Sequence, residues 1–100
     1  MTNPVIRAII RVQIKEVIIM ENIIKELAKY FDTELFYVKV GLEKETDLIQ
    51  RSNIAWYCTQ RCLGAAQFAN QMGVDYGIIE AMFEGVKEQI KIFENTYWQN

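Results

Sequence analysis

Residues 72–97, MGVDYGIIEAMFEGVKEQIKIFENTY, contain the pattern that decides the fold. Their apolar residues recur at alternating steps of three and four, which keeps them on one face of an α-helix. This seam consists of Tyr76, Ile79, Phe83, Val86, Ile90, Phe93 and Tyr97. Asp75 is a natural N-cap before the seam, and Gly73 suits the left-handed turn that ends a preceding helix. The stretch therefore predicts a helix over residues 76–97 that follows a helix end and a short link.

Residues 46–72 predict the preceding helix of the pair. Thr46 or Asp47 can cap its start, and Gly73 stops it. After its first member, one face of this helix carries only small residues, which let a second backbone approach closely: Leu48, Ser52, Ala55, Thr59, Cys62, Ala66 and Ala69. Two helices joined by a short link form an antiparallel αα-hairpin. The sequence therefore predicts a mainly α fold centred on a long hairpin over 46–72 and 76–97.

The two cysteines, Cys58 and Cys62, lie four residues apart in this helical pattern. At that spacing, Cβ atoms on one helix are about 5–6 Å apart, whereas a disulfide requires about 3.5–4.5 Å. The chain has no histidine, so two thiols are also too few ligands for a closed zinc site. We therefore predict that both cysteines are small, unbridged residues of the core.

A different pattern precedes the hairpin. Residues 20–31 predict a short helix, but in the following stretch Phe36, Val38, Val40 and Leu42 alternate with Tyr37, Lys39 and Gly41. Strict alternation predicts an extended segment or short strand over residues 35–42. A lone strand needs a partner for its backbone hydrogen bonds. Residues 8–14 and the same strand of a second subunit are the two candidates.

The first nineteen residues permit two interpretations. Asn3-Pro4 suits the start of a helix, and one seam continues from there through Ile6, Ile10, Gln13, Val17, Met20, Ile24, Leu27 and Phe31. That seam predicts a single helix from Pro4 to Phe31, which we favour. The high β-branched content, with apolar and polar residues alternating over 10–15, favours a strand instead.

The same segment can also be a translated leader. Lys15-Glu16-Val17 can be encoded as AAG GAG GTN, which contains the GGAGG that bacterial ribosomes recognise. Two isoleucine codons then precede Met20 at a normal initiation distance. We therefore hypothesise that the native chain starts at Met20, and codons for residues 15–17 that lack GGAGG would remove this argument.

Composition limits the possible classes of protein. With 51% hydrophobic and 24% charged residues, the 100-residue chain fits one globular domain over residues 1–100. A net charge of −2 argues against a protein that holds nucleic acid mainly by neutralising phosphates. No apolar run reaches the ~20 residues that a membrane span needs, so we expect no membrane association and a cytoplasmic location.

The sequence contains no recognisable catalytic set. There is no histidine to act as a general base at neutral pH, no glycine-rich phosphate loop, and no cysteine paired with a base. Carboxylates at Glu43, Glu45 and Asp47 lie before a helix start, where they complement the helix dipole. We therefore expect neither enzymatic activity nor a bound metal or cofactor.

Residues 65–83, AAQFANQMGVDYGIIEAMF, resemble the helix-turn-helix of bacterial transcription regulators. The matching features are Phe68, Ala69, Met72, Gly73-Val74, Ile79 and Met82. An alanine lets two helices cross closely, a glycine takes the left-handed turn, and later apolar residues hold the second helix. The resemblance covers about a fifth of the chain and implies a DNA-binding unit over residues 65–84.

The chemistry at the second helix disagrees with DNA binding. Recognition helices expose Arg, Lys, Asn, Gln or Ser to base edges, whereas Asp75, Glu80 and Glu84 would face phosphates and repel them. The candidate DNA contacts are Arg7, Arg11, Lys15, Gln67, Asn70 and Tyr76. We favour a structural αα-hairpin and keep DNA contact as the alternative.

Aromatic residues and arginine suggest a protein interface. Trp56-Gln60 and Tyr57-Arg61 are i,i+4 pairs, so Arg61 can stack on Tyr57, and Trp, Tyr and Arg dominate interface hot spots. The candidate interface residues are Trp56, Tyr57, Arg61, Tyr76, Phe83, Tyr97 and Trp98. The competing interpretation places Trp56 in the core, with Arg61 as a solvated tip.

These patterns lead to three functional hypotheses. The first is a small non-enzymatic interaction or regulatory protein, encoded by a phage or other mobile element, that binds a protein partner or itself, with a homodimer favoured. The alternative is a helix-turn-helix regulator that uses residues 65–84. The third is a purely structural oligomer.

Overall fold

The computed structural model describes the backbone of residues 4–98 and the side chains of residues 17–97. Three helices account for most of the chain: α1 (Pro4–Lys44), α2 (Leu48–Gln71) and α3 (Tyr76–Trp98). Each helix packs against both others, so they form one three-helix bundle. The prediction of a mainly α fold is confirmed.

The predicted hairpin of α2 and α3 is present, with the expected caps. Asp47 caps α2, because its side chain accepts a hydrogen bond of 3.0 Å from the backbone N–H of Gln50. Asp75 accepts one of 2.8 Å from the backbone N–H of Gly77 at the start of α3. Such caps satisfy N–H groups that a helix start leaves without an intrahelical partner.

The link between α2 and α3 is short and held in place. Gly73 adopts a φ of +104°, a conformation that strongly favours glycine. Val74 is buried, and its carbonyl accepts a hydrogen bond of 3.0 Å from the Asn70 side chain. At the far end of the hairpin, Arg51 Nη1 donates to the carbonyl of Tyr97 at 3.1 Å. Because this bond joins the start of α2 to the end of α3, the two helices lie side by side, whereas helices of a helix-turn-helix diverge at about 90–120°.

The extended segment predicted over residues 35–42 is wrong, since these residues continue α1. Val38 and Leu42 are fully buried one helical turn apart, whereas Phe36 is exposed, as a helix requires and a strand does not. Asp32 and Thr33 are part of α1 as well, and the Thr33 hydroxyl donates to the carbonyl of Lys29 at 2.9 Å. Residues 8–14, one candidate strand partner, are helical as well.

The core combines large side chains from α1 and α3 with small ones from α2. On the predicted small-residue face, Leu48 and Ser52 are exposed and Thr59 is partly buried, whereas its alanines and Cys62 lie in the core. The buried members of α2 are Ala55, Cys58, Cys62, Ala66 and Ala69. Both cysteines are fully buried and unbridged, as predicted.

α1 is much longer than its neighbours. It has 41 residues, whereas α2 has 24 and α3 has 23. At about 1.5 Å per residue, α1 is about 62 Å long and the other two about 35 Å. The Cε atom of Met20 lies 3.7 Å from the position that a Cβ on Gly73 would occupy, so the link between α2 and α3 is level with Met20. Residues 4–19 therefore extend past the bundle.

Most of this extension lies outside the described side chains, which begin at Val17. Its backbone is helical, which agrees with the interpretation of one continuous helix from Pro4. The hypothesis that the native chain starts at Met20 stays a prediction.

Candidate interaction surface

α1 and α2 share an outer face that α3 does not line. Two grooves follow the α1–α2 contact along this face, and their lining comes from α1, from α2 and from Met72, the C-cap of α2. The pair Arg61–Glu34 separates the two grooves. We call them the aromatic groove, toward the start of α2, and the apolar groove, toward its end.

The Arg61–Glu34 ion pair fixes one helix against the other. Arg61 Nε donates to Glu34 Oε2 at 2.8 Å, and the Glu34 side chain retains only 12% exposure. The hydrogen bond to Glu34 raises the pKa of Arg61. The predicted stacking of Arg61 on Tyr57 is not found, because the guanidinium turns to the carboxylate of α1, where a charge-assisted hydrogen bond is stronger.

The aromatic groove is lined by Tyr37, Val38, Gln50, Asn53, Ile54, Tyr57 and Arg61. Tyr37 lines the groove from α1 and Tyr57 lines it from α2, and both are more than half exposed. Trp56 lies beside the groove and is also 57% exposed, which excludes the interpretation of Trp56 as a core residue. The rings of Trp56 and Tyr57 meet edge to face with centroids 5.1 Å apart. The structure thus brings together three of the predicted interface residues, Trp56, Tyr57 and Arg61.

The apolar groove lies at the other end of the face and encloses about 460 Å³. Its residues are Ile19, Asn22, Ile23, Glu26, Leu27, Tyr30, Ala65, Phe68, Ala69 and Met72. Phe68 is 63% exposed, and Ile19 and Met72 are about half exposed. Large apolar side chains at the rim of an apolar cleft are typical of a surface that binds another protein.

The candidate DNA contacts of α2 and α3 meet in a third groove. Gln67, Asn70 and Tyr76 line it together with the carboxylates Glu80 and Glu84. The Asn70 amide is engaged by the carbonyl of Val74. The side chains of Arg7, Arg11 and Lys15 lie outside the described residues. Lys87 also lines this groove and pairs with Glu84 at 2.6 Å, so the carboxylate of Glu80 is the charge that would repel a phosphate there.

The other predicted interface residues lie away from the aromatic groove, and two of them, Tyr76 and Phe83, line the third groove together. Tyr76 is exposed at the start of α3, and Phe83 is partly buried against the core with Lys87 Nζ 5.3 Å from its ring centre. Tyr97 packs at the opposite end of the bundle, where its hydroxyl donates to Glu43 Oε1 at 2.8 Å. That hydrogen bond raises the pKa of Tyr97. The Trp98 side chain lies outside the described residues.

The two buried thiols interact with each other, and their hydrogen bond lowers the pKa of Cys58. The hydrogen bond to Cys58, together with burial, raises the pKa of Cys62, so this thiol stays protonated at neutral pH. Within residues 17–97, His, Cys, Asp and Glu side chains form no group of three or more that could hold a metal ion. In the described part of the chain, none of the three helices combines the length and apolar content needed to cross a membrane.

Tyr37, Glu34 and the whole apolar groove were not predicted from the sequence. The alternation over residues 35–42 suggested a strand and so concealed that Tyr30 and Tyr37 are seven residues apart on one helix. Phe68 and Met72 were assigned to a helix-turn-helix, although their i,i+4 spacing also places them on a common face. No protein-family model, curated protein or solved structure matches this chain.

Proposed function

We propose that this protein is a small, non-enzymatic binding module that holds a protein partner through the aromatic groove and Trp56. The observation that carries the proposal is the cluster of Tyr37, Trp56 and Tyr57, each more than half exposed, beside Arg61. Trp, Tyr and Arg are the residues that most often dominate binding energy at protein interfaces.

Contacts within the chain order part of the cluster before any partner binds. Arg61 is fixed by Glu34, and Trp56 contacts Tyr57 edge to face. Cys58 and Cys62, the neighbours of Tyr57 and Arg61 along α2, are fully buried and hold that part of the helix in the core. Side chains ordered in advance lose less conformational entropy on binding, which favours affinity.

The lining of the groove defines the chemistry of the partner. Tyr37 and Tyr57 offer two ring faces, while Gln50 and Asn53 offer side-chain amides at the rim. An apolar or aromatic anchor flanked by backbone carbonyls would fill such a site, because rings bury apolar area and amides satisfy the carbonyls. The partner expected here is therefore a folded surface or segment with one large apolar side chain.

The test is a pull-down of the tagged protein from lysate of its host, with and without nuclease, read by quantitative mass spectrometry. The double variant Trp56→Ala/Tyr57→Ala should capture at least about tenfold less of a partner protein, since hot-spot side chains contribute about 2 kcal/mol or more. Ile92→Ala is the matched control, because Ile92 is an apolar residue of α3 with 51% exposure and lies outside all three grooves described above.

Two results would contradict the proposal. Equal capture by the double variant and by Ile92→Ala would show that the aromatic groove does not bind the partner. Recovery of nuclease-sensitive material alone would favour the alternative of a DNA-binding regulator that uses residues 65–84. Circular dichroism of each variant serves as the folding control, and we expect the wild-type helical content.

A further inference from the structure

The apolar groove and the extension of α1 are neighbours along the same helix. The groove begins at Ile19, and the extension past the bundle consists of residues 4–19. Phe68 and Met72 form the wall of the groove that α2 contributes, and both are more than half exposed. The groove is distinct from the aromatic groove, which lies on the other side of the Arg61–Glu34 pair.

Residues 17–19, where the extension joins the bundle, carry apolar side chains on more than one side of the helix. Val17, Ile18 and Ile19 are consecutive and each more than half exposed. Three consecutive helix positions point in directions spread over about 200°. A helix that is apolar on several sides is normally packed against several neighbours. The chain itself leaves the apolar side chains of residues 17–19 largely exposed. We therefore expect another molecule to pack against them.

The extension cannot fill the groove of its own chain, because both belong to one uninterrupted helix. A second copy related by a twofold axis can fill it, since an antiparallel crossing near residues 17 and 18 places residues 4–16 of each copy along the groove of the other. The lengths agree: at about 1.5 Å per residue, residues 4–16 span about 18 Å and the groove from Ile19 to Tyr30 about 17 Å.

The sequence of the extension fits this arrangement. Five helical turns take about eighteen residues, so positions 5 and 9 share the helix face of Ile23 and Leu27, which line the groove. Both positions are apolar, as Val5 and Ile9. In an antiparallel twofold pair, the two copies of α1 lie side by side with their corresponding faces turned the same way. The face that carries Val5 and Ile9 in one copy therefore packs against the end of α2 in the other copy.

Charge favours the antiparallel direction. Residues 4–19 contain three basic side chains and one acid, whereas residues 20–34 contain four acids and two bases. Antiparallel pairing places the net positive segment of one copy beside the net negative segment of the other. Parallel pairing would place the two positive segments together and the two negative segments together. Such complementarity selects orientation more than it adds affinity.

From these observations we infer that the protein is a twofold dimer in which the N-terminal part of α1 of each copy occupies the apolar groove of the other. The partner of this groove is thus a second copy of the chain, and the aromatic groove stays open on each copy.

The test compares two variants of the full chain by size-exclusion chromatography with light scattering. Phe68→Asp damages the groove and Ile9→Asp damages the extension, so each alone should lower the dimer affinity at least tenfold and give the mass of one chain. An equimolar mixture should regain the mass of two chains, because a mixed dimer has one contact in which both sides are intact. Ile92→Asp, the control on α3, should stay dimeric.

Three results would overturn the inference: a wild-type protein with the mass of one chain, a Phe68→Asp variant that stays dimeric, or a mixture that fails to regain the dimer. The milder pair Ile9→Ser and Met72→Ser repeats the experiment if an aspartate lowers the helical content. The Trp56→Ala/Tyr57→Ala variant should remain dimeric. The proposal of the dimer and the proposal of the partner site are therefore tested independently of each other.

Discussion

Arg61 takes part in both stability and recognition. Its guanidinium neutralises Glu34, a carboxylate that packing has removed from most of the solvent, and the same guanidinium lines the aromatic groove. A buried carboxylate without a partner is costly, whereas replacing both partners by apolar groups is often neutral. The position of Arg61 is therefore set by folding before any partner arrives.

Removing Arg61 should destabilise the protein more than removing an exposed cation. Arg61→Ala leaves Glu34 buried without its partner, so we expect a loss of about 1–3 kcal/mol in the free energy of unfolding. Arg61→Ala/Glu34→Leu should regain most of it. Lys29→Ala is the control, since the Lys29–Glu26 pair is about three-quarters exposed and such pairs contribute under about 1 kcal/mol. Urea unfolding measures all three, and equal losses for Arg61→Ala and Lys29→Ala would refute the structural role of the ion pair.

Alkaline pH should destabilise the fold through the thiol of Cys62. The hydrogen bond to Cys58 and burial raise the pKa of Cys62 in the folded state above its ordinary value of 9.0. The unfolded chain then releases a proton that the folded chain keeps, so this contribution to stability is complete below about pH 9 and is lost as pH rises further. Urea unfolding at pH 7, 8.5 and 10 should show a decline only at the last step. The decline should be smaller in Cys62→Ala, and an identical pH dependence in that variant would contradict the assignment to this thiol.

At the scale of the elements, periodicity predicted α2 and α3 well because both repeat the helical pattern over more than twenty residues and carry recognisable caps. It failed over residues 35–42, where two periods coincide: Val38 and Leu42 fit a strand as well as a helix. Packing decides between them, because a helix buries Val38 and Leu42 together with Phe31. The grooves were not predictable, since they depend on how α1 and α2 meet, and no local pattern records that.

Substitutions within residues 35–42 distinguish helix from strand. In a strand, Phe36 and Val38 would share a face and respond alike, whereas in α1 Phe36 is exposed and Val38 is 1% exposed. We expect Val38→Ala to lower the free energy of unfolding by about 1–3 kcal/mol and Phe36→Ala to change it by less than about 0.5 kcal/mol. Urea unfolding of both variants gives the comparison. Losses of similar size would show that this segment is not helical in solution.

At the scale of the whole molecule, the three helices share one core and cannot fold separately. The core takes Leu27, Phe31, Val38 and Leu42 from α1, small residues from α2, and Ile79, Val86 and Ile90 from α3. No helix buries its apolar face against only one other, since each of the three pairs is in contact. The two surfaces proposed for binding therefore depend on α3 as well, although α3 lines neither of them.

A charge on the inner face of α3 should consequently unfold the entire chain. Phe83 is partly buried against the core and lies in the groove that also contains Glu80 and Glu84, so Phe83→Asp removes apolar burial and adds a third carboxylate. Losing a fully buried phenylalanine costs about 3–5 kcal/mol, and a partly buried one with a carboxylate put in its place should still cost a large share of the stability of a domain of this size. We expect the total helical circular dichroism signal to fall by more than the loss of α3 alone would explain. Ile92→Asp, which changes an exposed residue of the same helix, should leave the spectrum unchanged. If Phe83→Asp kept both its helical signal and its wild-type mass in solution, the inner face of α3 would have to be exposed and the three-helix core would be refuted.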